Sequence, residues 1–182
     1  NPEYGLLNEH LNHDMSRIAG DRGQVATGHG PETLWMVLDE AVRTRNRELF
    51  DRAADCLRRH LEVLWDDVYG GFFAGLRHVE RGIPDTGKWL WVQVEALIGL
   101  MLVIEHRDAR WAKEWYARVE GYTRGTLLLE RFGLPLWNFQ TDRRGTFERH
   151  TDRIEHFHLP RYLMLTLLAA DRMAGGRNGP KG

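Results

Sequence analysis

The sequence predicts an all-α fold, an arc of helical hairpins with short β-hairpins gathered at one end. Two observations predict it. First, an aromatic residue, a glycine and apolar residues follow one another three times, as Tyr4-Gly5-Leu6-Leu7-Asn8-Glu9, Tyr69-Gly70-Gly71-Phe72-Phe73-Ala74 and Phe132-Gly133-Leu134-Pro135-Leu136-Trp137. The copies start 65 and then 63 residues apart. Such a pattern suits a tight turn running into a short strand. Second, each copy is followed by a polar, His-, Lys- or Glu-bearing stretch, and each of those by a helix. The repeating unit is a hairpin or loop, an inner helix and an outer helix.

Unit one covers about residues 4–68. Its loop runs from Tyr4 to Gly28. Its inner helix covers about Pro31–Thr44, opened by Pro31, whose missing N–H would have been unpaired there anyway. Its outer helix covers about Arg47–Trp65, with Leu49, Phe50, Ala53, Cys56, Leu57, Leu61 and Leu64 at spacings of three and four. Unit two covers about 69–131. Its hairpin is about Gly71–Pro84. Its inner helix, Lys88–His106, is apolar almost all round in the middle and is expected between neighbours rather than on the surface. Its outer helix, about Ala109–Leu129, sets Trp111, Trp115, Tyr116 and Val119 on one face. Unit three covers about 132–175, with a hairpin at Leu134–Phe147 and a last helix at about Pro160–Met173. No outer helix follows, and residues 174–182 read as a flexible tail. Three such units leave two open edges, each with an apolar helix side. A second copy, or the other half of a ring, is expected to cover them.

Composition narrows the classes. The 182 residues can bury one sizeable core, and 42% of them are apolar. A net charge of −1 gives no field that points to nucleic acid or an acidic membrane. Leu97–Ile104, bounded by Glu95 and Glu105, is too short to span a bilayer. The single cysteine, Cys56, rules out an internal disulfide framework and points to a reducing, cytoplasmic setting. It reads as buried filler. No signal peptide is read. The first residue is Asn1 rather than Met, which reads as a chain cut from, or begun inside, a longer product.

The chemistry gathers ahead of the inner helices. In Gly28-His29-Gly30-Pro31-Glu32-Thr33-Leu34-Trp35, His29 stands just before a helix and Glu32 lies in its first turn. That end of a helix carries free N–H groups and partial positive charge. The second stretch is Gly87-Lys88-Trp89-Leu90-Trp91-Val92-Gln93-Val94-Glu95. The third is Glu155-His156-Phe157-His158-Leu159-Pro160-Arg161. A histidine exchanges protons near neutral pH, so His29 and His158 are the candidates for acid–base work. His156 is a rival to His158, because in an extended segment the two face the same side. His29, Glu32, His156 and His158 could also supply a zinc site, but no cysteine or zinc-motif spacing accompanies them. His10, His13, His60, His78, His106 and His150 read as solvated. Trp35, Trp111 and Trp115 read as packing residues.

Gly28-His29-x-x-Glu32, Lys88-Trp89-x-Trp91-x-Gln93-x-Glu95 and Phe157-His158-x-Pro160-Arg161, in this order and spacing, resemble the N-acylglucosamine 2-epimerase family. That family includes cellobiose 2-epimerases and aldose–ketose isomerases. The resemblance covers nearly the whole chain, but only the C-terminal half of a family member. It implies about half of an (α/α)6 barrel. It implies that His29 and His158 are a catalytic pair, one taking the proton at C2 of a sugar and the other returning it from the opposite face. Return to C1 would instead give isomerisation. The expected substrate-binding set is Glu32, Lys88, Trp89, Trp91, Glu95 and Arg161. Within it, Glu32 orients His29 or binds a hydroxyl, and Trp89 or Trp91 stacks on the sugar ring. Glu95 is a buried hydrogen-bond partner, and Arg161 pairs with Glu95 or Glu32. Helix N-termini favour the anionic enediolate. No metal or redox cofactor is expected, and no phosphate-binding loop is found. Arg153 stands where cellobiose epimerases usually carry a Trp, so the ending resembles the N-acylglucosamine and monosaccharide branch more closely. The missing half supplies an Arg and other polar groups in the family. A non-catalytic carbohydrate-binding or interaction module is therefore the rival reading.

Overall fold

The computed structural model describes residues 3–16, 18, 24–128, 140–141, 147–148 and 157–177. Three inner helices form its centre: α1 (His29–Arg43), α3 (Leu90–Arg107) and α5 (His158–Arg177). Helix α3 lies between the other two and packs on both. The outer helix α2 (Arg47–Leu64) covers α1, and α4 (Arg110–Tyr122) covers α3. This is a partial α/α barrel, with helical hairpins set side by side. Short strands lie at the end where the inner helices begin. They are β1 (Val25–Ala26), β2 (Gly75–His78), β3 (Ile83–Asp85), β4 (Lys88–Trp89), β5 (Gln140–Thr141) and β6 (Phe147–Glu148). They pair antiparallel in two three-stranded sheets, β1-β2-β3 and β4-β5-β6. Each sheet joins strands of different repeat units and so fixes one unit's approach to its inner helix against the next.

The central position of α3 follows from its sequence. Leu90, Val92, Val94, Ala96, Leu97, Ile98, Leu100 and Val103 are all buried. A helix apolar on every side is stable only when covered on every side. Gly99 lets α2 approach it, since a Cβ there would stand 2.8 Å from Leu57 Cδ2. The helix stops at Asp108, whose φ of 51° is left-handed and whose N–H bonds the Ile104 carbonyl at 3.0 Å. Helix α2 is opened by Asn46, whose side chain accepts from the Leu49 N–H at 3.0 Å.

The expected helices form close to their expected bounds, with two differences. The outer helix expected over Ala109–Leu129 leaves α geometry after Tyr122 and closes in a π turn, Thr123–Leu127. Gly121 and Gly125 weaken the helix there, and Thr123 Oγ1 bonds back to the Val119 carbonyl at 2.7 Å. Helix α5 starts at His158 and continues to Arg177, into the stretch expected to be tail. Once a helix is nucleated, each further residue adds a bond, which offsets the cost of Gly175 and Gly176. Most of the expected third hairpin, His150, Arg153, His156 and residues 178–182 lie outside the described residues.

His60 corrects an expectation. It is fully buried rather than solvated. Its Nδ1 donates to the Cys56 carbonyl at 2.8 Å, and its Nε2 accepts the Leu7 N–H at 3.0 Å. It also fills the space beside Gly30, where a Cβ would lie 2.7 Å from His60 Cδ2. Cys56 is half-buried beside it, and burial raises its thiol pKa. No helix among the described residues is long and apolar enough to cross a membrane.

Candidate active site

The first residues of the three inner helices come together. His29 opens α1 and His158 opens α5, with Trp91 in the first turn of α3 between them. The His29 and Trp91 ring centroids are 5.2 Å apart, and so are those of Trp91 and His158. The sum of those two distances bounds the separation of the imidazoles. Trp91 reaches this place because residue 28 has no side chain: a Cβ on Gly28 would lie 2.1 Å from two Trp91 ring atoms. The Trp89 ring lies beside that of Trp91, tilted to it, with centroids 6.0 Å apart.

Each imidazole is held through Nδ1 by a carboxylate. His29 Nδ1 lies 2.7 Å from Glu9 Oε1, and His158 Nδ1 lies 2.8 Å from Glu95 Oε1. An ionised carboxylate only accepts, so in each pair Nδ1 carries a proton, and the neutral form of the ring then has its lone pair on Nε2. Arg161 Nη2 also approaches His158 Nδ1, at 3.3 Å, but both are donors. The shorter carboxylate contact decides the tautomer.

Behind His158 is a charge cluster built from all three inner helices. Glu95 is fully buried, and Trp35 Nε1 donates to its Oε2 at 2.6 Å. Arg161 Nη2 donates to Glu95 Oε1 at 2.6 Å and to Glu32 Oε1 at 2.8 Å. The guanidinium also lies over the Trp35 ring, 5.1 Å from its centroid, and over the Phe157 ring at 4.5 Å. Burial alone would push the Glu95 pKa up. Hydrogen bonds from His158, Arg161 and Trp35 outweigh it and hold the carboxyl below its ordinary value. Burial likewise opposes the charge on Arg161, and its bonds to Glu95 and Glu32 outweigh that and raise its pKa. Glu32, Glu95 and His158 bring ligand atoms within 4.8 Å of one another, as a metal site would. The Arg161 guanidinium bonds both carboxylates of that trio and so supplies the positive charge between them.

The expected site residues divide accordingly. His29, His158, Glu32, Trp91, Glu95 and Arg161 are brought together, with Trp89 at the margin. Glu32 engages Arg161. Lys88, expected in the substrate-binding set, is placed apart from them. It is fully buried, with Nζ 3.1 Å from Asp66 Oδ2, 2.6 Å from the Gly70 carbonyl and 2.9 Å from the Gly71 carbonyl. The ring of Phe73 lies 4.4 Å from the ammonium. An ammonium satisfied in this way anchors the turn ahead of β2. Gln93 is also structural, bonding both the N–H and the carbonyl of Phe72.

Two contributors were not singled out from the sequence. Trp35 read as packing, and only the fold shows its indole N–H on Glu95. Glu9 closes the first copy of the repeated motif at the position where the second copy has Ala74. That contrast was the available signal.

The fold and the cluster define a class: a helical-hairpin arc with paired, carboxylate-anchored imidazoles at the N-termini of its inner helices. A family model described as N-acylglucosamine 2-epimerase (GlcNAc 2-epimerase) matches residues 2–159, and the chain belongs to that family. A crystal structure of D-mannose isomerase is similar, with 17% identity and a TM-score of 0.75 over 92% of this chain and 43% of that one. Cellobiose 2-epimerase from Spirochaeta thermophila is similar at 16% identity, with a TM-score of 0.74 over 94% of this chain and 43% of that one. A sugar epimerase from a ruminal bacterium aligns with a TM-score of 0.69 at 15% identity, over the same shares. The chain thus spans under half the length of these structures. No curated protein matches the sequence.

Proposed function

We propose that this chain carries the proton-transfer site of a sugar 2-epimerase of the N-acylglucosamine 2-epimerase type. The observation that supports it is the pair of imidazoles beside Trp91, each with a carboxylate on Nδ1. In this reading one Nε2 takes the proton from C2 of the open-chain sugar. The C–H electron pair moves into an enediolate. The other imidazole, as imidazolium, returns a proton to the opposite face of C2, which inverts that centre. Paired acid and base groups of this kind contribute about 10²–10⁴-fold each. Trp91 and Trp89 offer a flat apolar surface against which sugar carbons can rest. Arg161, neutralised by Glu32 and Glu95, holds the His158 side of the site in place.

Aldose–ketose isomerisation is the second reading, supported by the likeness to D-mannose isomerase. It needs the same first step and differs only in return of the proton to C1. The other half of the ring is a further part of the proposal. Leu163, Met164, Leu167 and Leu168 of α5 are exposed, and a second copy or another barrel half would cover them.

Solvent deuterium uptake tests the reading. The chain is incubated in D2O with N-acetylmannosamine, N-acetylglucosamine, mannose, glucose and cellobiose, and its mass in solution is recorded on the same sample. Deuterium at C2 with epimer formed supports epimerisation and identifies the sugar, while deuterium at C1 of a ketose product supports isomerisation. A folded sample that exchanges none of them points to a non-catalytic carbohydrate-binding module. A strictly monomeric mass counts against the ring.

A further inference from the structure

We propose that Glu9 is the positioning residue for His29, fixing its tautomer through the Nδ1–H. The inference rests on the epimerase reading for its consequence in turnover, but not for its geometry.

Glu9 is not a passing surface partner. Its side chain is 16% exposed where that of His29 is 57% exposed, so the carboxylate is the sheltered and better fixed member. Its backbone is tied down at Glu9 itself and in the residues before it. The Glu9 N–H bonds the Gln24 carbonyl at 3.3 Å, just ahead of β1. Two residues earlier, the Leu7 N–H bonds His60 Nε2, and His60 is locked into α2 through the Cys56 carbonyl. The Tyr4 carbonyl accepts from Arg59 Nε at 3.1 Å, and Leu6 is buried in the core. Gly5 makes the turn with φ of 69°, a left-handed value that a side chain would strain.

Two comparisons within the molecule support the assignment. His158 has the same arrangement, with Glu95 on Nδ1 at 2.8 Å, in a cluster already recognised as the site. In the second copy of the repeated motif, Ala74 stands where Glu9 stands, and no histidine opens the helix that follows. The third copy ends in Trp137, and the histidine that opens its inner helix, His158, takes its carboxylate from α3 instead. The other carboxylate of the first turn, Glu32, is engaged by Arg161. Glu9 holds the imidazole in the tautomer whose Nε2 can accept a proton, and its charge balances the imidazolium that results.

The test reads the tautomer directly. Ring ¹⁵N shifts of His29 are recorded in the full 182-residue chain at mildly alkaline pH, for the wild type and for Glu9→Ala. The expected wild-type spectrum has a protonated Nδ1 and a bare Nε2, and Glu9→Ala releases His29 to the Nε2–H form that free imidazole prefers. Glu9→Gln fills the same space without charge. It is expected to lower kcat about tenfold to a hundredfold with KM changed less than about twofold, and Glu9→Asp to recover part of that loss. An unchanged His29 tautomer in a folded Glu9→Ala chain overturns the proposal, as does an unchanged kcat in Glu9→Gln. A wild-type chain that turns over no sugar yet shows the tautomer change overturns the epimerase reading alone.

Discussion

The approaches to α1 and α3 are built alike and used differently. Both begin with an aromatic–glycine turn whose glycine is left-handed, Gly5 at φ 69° and Gly70 at φ 78°. Both then run into antiparallel pairing and deliver a basic side chain close to the start of an inner helix. Ahead of α1 that side chain is His29, largely exposed and held by one carboxylate. Ahead of α3 it is Lys88, fully buried and held by a carboxylate and two carbonyls. The first arrangement leaves a nitrogen free for chemistry. The second uses every donor of the ammonium on the protein itself. A polar residue ahead of an inner helix is thus not by itself a sign of substrate contact; what decides is whether its polar atoms are already spent.

Four predictions sharpen or break this contrast. The largest effect belongs to the histidines. His29→Ala and His158→Ala each lower turnover at least about 10²–10⁴-fold, while the thermal midpoint stays near the wild-type value. Wild-type-like turnover in either variant removes that residue from the mechanism. Lys88→Met behaves in the opposite way. It leaves Asp66 buried without its counter-charge and costs about 3–5 kcal/mol of stability in a urea melt. A loss below about 1 kcal/mol would mean that the anchor is dispensable.

His60 gives the third, through pH. Burial lowers its pKa to about 4, from 6.5 in the unfolded chain. Between those values the unfolded chain binds the proton and the folded chain does not. Stability is therefore full above pH 6.5 and falls as pH drops toward 4, by about 3 kcal/mol in total. His60→Gln can keep both hydrogen bonds without titrating, and should flatten that part of the stability profile. A profile equally steep in the variant places the titrating group elsewhere. The smallest effect is at Gly28. An added Cβ must displace the Trp91 ring, so Gly28→Ala costs about 1–3 kcal/mol and raises KM, read from a melt and a rate curve together. An unchanged KM would remove Trp91 from sugar binding.

The helices and their order were legible in the sequence because period and repeat are local signals. Apolar spacing locates α1 through α3 and the start of α4 to within a few residues, and the apolar middle of α3 places it at the centre. His29, His158, Glu32 and Arg161 stand at motif positions in the sequence, and the fold brings them near one another. What escaped depends on contacts between distant residues. His60 lies on the apolar face of α2 with Leu57 and Leu64 and is bonded by the Leu7 N–H, but a histidine's polar ring does not by itself mark a core position. The role of Trp35 depends on Glu95, and an indole looks the same in a core and on a carboxylate. The bonds of Lys88 to Asp66, Gly70 and Gly71 join residues about twenty apart and have no local signal in the sequence. Glu9 is twenty residues from His29 in sequence, too far for a local period to pair them.

The most direct test of the account is solvent deuterium exchange at sugar C2 by the wild-type chain and by the single variants His29→Ala and His158→Ala, starting from each epimer in turn. The account predicts exchange in the wild type from both epimers. Each variant loses net inversion, because one face then lacks its proton donor or acceptor. Net inversion at the wild-type rate in either variant would contradict it, since a single imidazole would then be serving both faces.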